Sequence, residues 1–345
     1  MFCTALLIRV CSYKPEPMKE KVMATIEQRP AAAIVGNRLK ARSLWSDAAH
    51  TFVRNFAGMA GLIVILLLIF AAIFAPLIAP YNFTAQNYFA IMQAPSVHHW
   101  MGTDELGRDI LSRVLMGVRT AVLVAVLVTV LSGLLGILFG SIGALIGGWV
   151  DSFVTWFMDA LLNIPPLWFA AFVSIATRPG ITLLTASLYA STHWSGWKDT
   201  VLLDYLVVIC CLGFVSWAGI GRIVRGQVLA LREKEFIEAA RALGASNSWI
   251  IRRHLVPNVL GAVIVALSVN FGYAMLFEAS LSFLGVGIRP PGASLGQMIA
   301  DGIGRWRSAP HLVAMPGLVL AIVVLASNFL GDALNDALNP KGRQR

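Results

Sequence analysis

Charged side chains are scarce in this chain. Asp, Glu, Lys and Arg make up 13% of its 345 residues against 57% hydrophobic ones, roughly half the usual charged share of a soluble domain. That balance excludes a single water-soluble globule with one buried core, and it makes a bilayer the expected solvent. Nucleotide-binding loops are missing as well: no Gly-x-x-x-x-Gly-Lys-Ser/Thr string occurs, so the usual cradle for ATP phosphates is absent. The loops hold no Ser/His/Asp set and no zinc or two-metal set, so no catalytic residue, metal or cofactor is expected. Cysteine is nearly absent. Cys3 and Cys11 precede the first apolar run, while Cys210 and Cys211 are adjacent inside a later one. Without a Cys-x-x-Cys pair they are expected to be buried small hydrophobes. His98 and His99 have no third ligand nearby and are expected to be loop residues.

What the chain does have is apolar length. Apart from His98 and His99, nothing charged separates Arg54 from Asp104, and further runs without Asp, Glu, Lys or Arg extend over 120–150, 160–177, 205–221 and 308–331. Each approaches or exceeds the roughly 18–20 residues a helix needs to cross hydrocarbon. The predicted architecture is an all-α integral membrane protein with six spans at about 57–79, 120–146, 153–177, 201–221, 258–282 and 310–331. The formal charge of +9 fits an orientation bias better than nucleic-acid binding. With the amino terminus in the cytoplasm, the inside segments carry nine Lys/Arg before the first span, seven over 222–253 and three in the tail, leaving eight elsewhere. Both termini are therefore expected inside.

Around the spans, local patterns add detail. Residues 1–8 are apolar but too short to cross, and the basic residues follow them, so a signal peptide is not expected. Met18 and Met23 are alternative starts to Met1. Residues 30–56 place Leu39, Leu44, Trp45, Phe52 and Phe56 among basic residues, a pattern suited to an anionic membrane surface. Over 110–118, Ile110, Leu111, Val114, Leu115 and Val118 predict an interfacial amphipathic helix leading into the second span. That span is rich in Gly and Ser from Ser132 to Gly148, which predicts close helix packing in lipid.

The segment between the fourth and fifth spans is the most distinctive. It predicts a helix with Phe236, Ile237, Ala240 and Leu243 on one face, a turn at Gly244–Asn247, and a second short helix from about Ser248 ending near Pro257. Two short helices at an angle make a knob suited to a groove on another protein. Glu238-Ala239-Ala240, then Gly244, then Pro257 thirteen residues on, resembles the EAA loop of ABC importer permeases. GTDELGRDILSR from Gly102, DALLNIPP from Asp159 and FEASLSFLGVGIRPP from Phe277 resemble the dipeptide/oligopeptide branch, which includes nickel importers.

This resemblance, over about residues 57–335, implies a type I ABC importer permease fold and a pore-forming subunit of an ATP-driven peptide importer. It implies as partners a second related permease in a heterodimer, two cytoplasmic ATPase subunits, an extracytoplasmic binding protein and membrane lipid, with no nucleic acid. The implied division is a cytoplasmic segment 1–56, a first span with extracytoplasmic loop 57–119, a permease domain 120–332 with the coupling loop at about 232–257, and a cytoplasmic tail 333–345. Glu238, Ala239, Ala240, Gly244 and Pro257 would couple to the ATPase. The chain departs from the family pattern at His254-Leu255-Val256-Pro257 and in a longer stretch over 181–201 that holds Trp194 and Trp197. Asp159 and Glu278, charged residues within predicted spans, are pathway or structural candidates. A nickel or other small-solute importer is the alternative cargo class. A secondary transporter would call for internal repeats and more paired charges.

Overall fold

The computed structural model describes residues 44–198 and 200–338, nearly all within one compact unit, Asp47–Arg345; a second unit, Met1–Ser46, is described only at 44–46. Cys3, Cys11, the alternative starts, residues 30–43 and the tail from 339 lie outside the described residues. Every regular element described is helical. Helix α1 (Leu44–Val53) precedes α2 (Phe56–Ile78), whose start is capped by Asn55, its Oδ1 accepting from the Gly58 N–H at 3.1 Å. After a folded loop come α3 (Ile110–Ile146), α4 (Gly148–Asn163), α5 (Pro166–Thr192) and α6 (Thr200–Arg232). Two short helices, α7 (Glu235–Ala242) and α8 (Asn247–Ile250), lead to α9 (Val256–Phe283); α10 (Leu295–Gly302) and α11 (His311–Leu338) complete the chain. Among the described residues, six helical stretches are long and apolar enough to cross a membrane: 56–78, 110–146, 166–192, 201–232, 247–283 and 311–338.

Three expectations are corrected by these helices. The third span does not run through 153–177. Ile164 and Pro165 are extended, with ψ 125° and 122°, so α4 stops and α5 restarts at Pro166. Consecutive prolines remove two backbone donors and push the preceding residue out of the helical region. The span then continues through Arg178 and Pro179 to Thr192, so most of the expected loop over 181–201 is helix. Arg178 is tolerated there because its Nη2 donates to the Val286 and Gly287 carbonyls, both at 2.7 Å. The amphipathic stretch at 110–118 is not a separate surface helix either. Nothing breaks the helix between it and the span, and Ile110, Val114 and Val118 are buried in the protein core. Finally, Cys211 is buried as expected, but Cys210 lies on the exposed side of α6.

Glycine explains the closest helix pair. A Cβ on Gly140 of α3 would lie 2.6 Å from the Gly221 carbonyl oxygen of α6, so only glycine lets the two backbones meet there. The most extensive contact in the fold is this α3–α6 pair, with α9 and α11 packed beside it and α2 against α11. The outward side of α2 shows Ile63, Leu66, Leu67 and Phe70, a surface suited to lipid.

Opposite ends of the bundle carry different structures. At one end the loop over 79–109 is organised by Asp104, whose Oδ1 accepts from the Leu106 and Arg108 N–H groups, each at 2.9 Å. Its Oδ2 accepts from Arg108 Nε at 2.7 Å and from the buried Arg113 at 2.5 Å. His99 Nδ1 lies 2.9 Å from Asp109 Oδ1, tying the histidine to the helix cap of α3. The other end carries α7 and α8.

Candidate coupling knob and intramembrane charges

The knob begins where α6 ends at Arg232, whose Nη1 donates to the Ala144 carbonyl at the end of α3 at 2.9 Å. α7 closes with a glycine-dependent motif. The Gly244 N–H donates to the Arg241 carbonyl at 2.9 Å, and the Ala245 N–H to the Ala240 carbonyl at 3.0 Å. Satisfying both carbonyls forces Gly244 to φ +82°, a conformation that strains any residue bearing a Cβ. Ser246 then caps α8, accepting from the Trp249 N–H at 3.4 Å.

Burial divides the knob differently from the helical wheel. Ile237, Ala240, Ile250 and Leu255 are buried among Ala144, Leu145, Val224 and Val228, and root the knob in α3 and α6. Phe236 and Leu243, expected on that same face, point outward at 43% and 89% exposure. Trp249 is also exposed, and the His254 ring sits 5.8 Å from Phe236 and 5.0 Å from Trp249. Glu238, Ala239 and Arg241 are exposed beside them. Pro257 does not end a helix. It is the second residue of α9, and a π-helical turn over Ile251–Leu255 carries the chain into it, so the helix runs on through the proline.

Asp159 lies on α4, outside the six candidate spans. Its carboxylate pairs with Arg222 of α6, and both side chains are about half exposed. Two turns earlier, Asp151 accepts from Arg225 Nε at 2.6 Å and Nη2 at 2.7 Å. Those hydrogen bonds hold the Asp151 carboxyl below the usual carboxylate range. Together the two pairs clasp α4 onto α6. Arg222, Arg225 and Asp151 escaped the sequence reading; the available signal was the eight-residue Asp spacing facing two arginines three apart.

Glu278 is fully buried near the far end of α9. Ser282 Oγ donates to its Oε1 at 2.9 Å and itself accepts from the Ile288 N–H at 3.0 Å, so the carboxylate anchors the chain as it turns back after α9. The buried Ser294 hydroxyl lies beside the same carboxyl. Asp159 and Glu278 are not brought together: one sits on the knob side of the bundle, the other at the opposite end.

Comparison with known proteins agrees with this geometry. Residues 134–344 match the family described as binding-protein-dependent transport system inner membrane component. Residues 43–95 match the N-terminal TM domain of oligopeptide transport permease C. The chain is 38% identical over 307 residues to the oligopeptide transport system permease protein OppC of Escherichia coli strain K12, covering 88% of this chain and 94% of that one. It is 33% identical over 333 residues to the Haemophilus influenzae protein of the same name, covering 96% and 99%. With the Bacillus subtilis protein of that name it shares 34% over 319 residues, covering 91% and 97%.

Proposed function

We propose a function from one premise: the chain belongs to the family of binding-protein-dependent transport system inner membrane components. It is a pore-forming permease subunit of an ATP-driven importer and carries oligopeptides inward across the cytoplasmic membrane by alternating access. The oligopeptide permeases to which it is similar support that cargo. Its partners are a second related permease, two cytoplasmic ATPase subunits and an extracytoplasmic binding protein. Both termini and the knob face the cytoplasm, in keeping with the basic residues over 222–253.

The observation that carries the coupling role is the knob itself: a rooted pair of short helices with Phe236, Leu243 and Trp249 exposed beside Glu238 and Arg241. An apolar centre with a charged rim suits a groove on an ATPase subunit. Glu238, Ala239 and Ala240 lie on its first helix, Gly244 sets the turn, and Pro257 starts the span that the knob would move. Asp159, through Arg222, clasps α4 beside this lever, and Glu278 holds the far end of α9; both are positioning groups.

The test is co-purification and ATP turnover of the assembled complex in lipid. Gly244→Val places a branched side chain at positive φ, a strain of about 1–3 kcal/mol, and Glu238→Lys reverses a rim charge. Both variants are expected to insert and retain the second permease while losing the ATPase subunits and binding-protein-stimulated turnover. Normal attachment, turnover and uptake in both would overturn the coupling role.

A further inference from the structure

One groove in the spans is lined by polar side chains and carries no charge. α2 and α11 present large apolar residues outward, among them Leu66, Phe70, Leu325 and Phe329, as lipid contact requires. Between α6, α9 and the end of α11, a cavity of about 500 Å³ opens instead onto Ser216, Gly219, Asn270, Tyr273 and Asn335, with small aliphatic residues between them and no charged side chain. Tyr273 is 49% exposed. The side chains of Ser216, Tyr273 and Asn335 make no hydrogen bond among the described residues. Asn270 Nδ2 donates to Ser132 Oγ at 3.1 Å, which leaves its Oδ1 open as an acceptor. A Cβ on Gly219 would meet nothing within 4 Å, so packing within the chain does not explain the glycine. Unpaired hydroxyls and amides facing hydrocarbon are unfavourable, so this groove faces polar matter rather than lipid.

We propose that this groove is the chain's binding wall for the cargo peptide, and that Ser216, Asn270, Tyr273 and Asn335 hydrogen-bond to the peptide main chain. The proposal rests on the importer function above and names the surface that contacts its substrate. Hydroxyls and amides both donate and accept, which matches a backbone that alternates N–H and C=O. With no charge in the groove, nothing selects one side chain over another. The stretch of α9 from Ala262 to Tyr273 rises about 16 Å at 1.5 Å per residue. That is room for about five extended residues at roughly 3.3 Å each. Gly219 leaves space for the side chains.

The experiment places photoreactive p-benzoylphenylalanine at Tyr273 or Ser216, and at Leu66 or Leu325 as lipid-facing controls. Each variant is assembled with the second permease, the ATPases and loaded binding protein in vesicles, and illuminated during turnover with tritiated penta-alanine. Label is expected on the first two and not on the controls. Cross-linking at Tyr273 and Ser216 only to the second permease or to lipid, or no label while uptake proceeds, would overturn the proposal. Separately, Tyr273→Phe is expected to lower uptake about 2- to 10-fold, the equivalent of one hydrogen bond. The loss should be alike for pentapeptides of alanine, serine and leucine; a loss confined to one would point to side-chain recognition and refute the main-chain role. Uptake by the unaltered complex reports on the importer function itself. If it moves none of these peptides, that function fails and the groove assignment falls with it.

Discussion

At the residue scale, Glu278 separates two roles that its sequence position leaves open. A fully buried carboxylate that accepts from Ser282 behaves as a structural anchor. Glu278→Ala should leave the Ser282 hydroxyl without its acceptor and cost about 1–3 kcal/mol, whereas Glu278→Gln keeps an oxygen there and should cost less. Thermal unfolding of the purified complex gives the ranking, and uptake by the Gln variant gives the role. Retained uptake supports the anchor; abolished uptake with unchanged stability would mark Glu278 as part of the transport pathway. The sequence revealed that Glu278 is unusual. The Ser282 contact is an i, i+4 pair on one helix, but Ile288 was not legible, because its bond to Ser282 depends on how the chain turns back after α9.

At the scale of elements, the clasp between α4 and α6 is the feature least visible in the sequence. Asp151 and Arg225 are 74 residues apart and Asp159 and Arg222 are 63 apart, so no local pattern pairs them. A double-mutant cycle with Asp151→Asn and Arg225→Gln should give a coupling of about 0.2–1 kcal/mol, as for a solvent-accessible ion pair. Acid should erase it. The folded Asp151 pKa is depressed, so the pair stabilises the fold above the unfolded carboxylate pKa of about 3.9. That contribution is lost as pH falls through the lower folded value. Thermal unfolding measured from pH 7 down to pH 3 should therefore fall less steeply for Arg225→Gln than for the wild type; parallel curves would remove the clasp as a stabilising contact. By contrast the knob was legible as two helices around Gly244. Its buried face was legible in part: Ile237 and Ala240 are buried as the pattern predicts, whereas exposure of Phe236 and Leu243 depends on where Val224 and Val228 of α6 lie.

For the whole molecule, orientation is the property to test directly. In a variant with Cys3, Cys11, Cys210 and Cys211 replaced by serine, a single cysteine at Ser96 should react with an impermeant maleimide in intact cells. One at Ala242, exposed on the knob, should react only after permeabilisation. Labelling of Ala242 from outside would reverse the topology and remove the knob from the ATPase side. By itself the sequence determined the solvent, the number of spans and the place of the knob between the fourth and fifth, because hydropathy and glycine or proline constraints act over neighbouring residues. It misplaced the third span because a charge-free run over 160–177 hides the break at Pro165–Pro166, where backbone geometry outweighs hydropathy. Only the tertiary structure decided that Asp159 is clasped by Arg222 and that Ser216, Asn270 and Tyr273 share one groove. Asp159 and Arg222 lie far apart along the chain, as do Ser216 and the Asn270–Tyr273 pair, and packing of α4 on α6 and of α6 beside α9 brings them together.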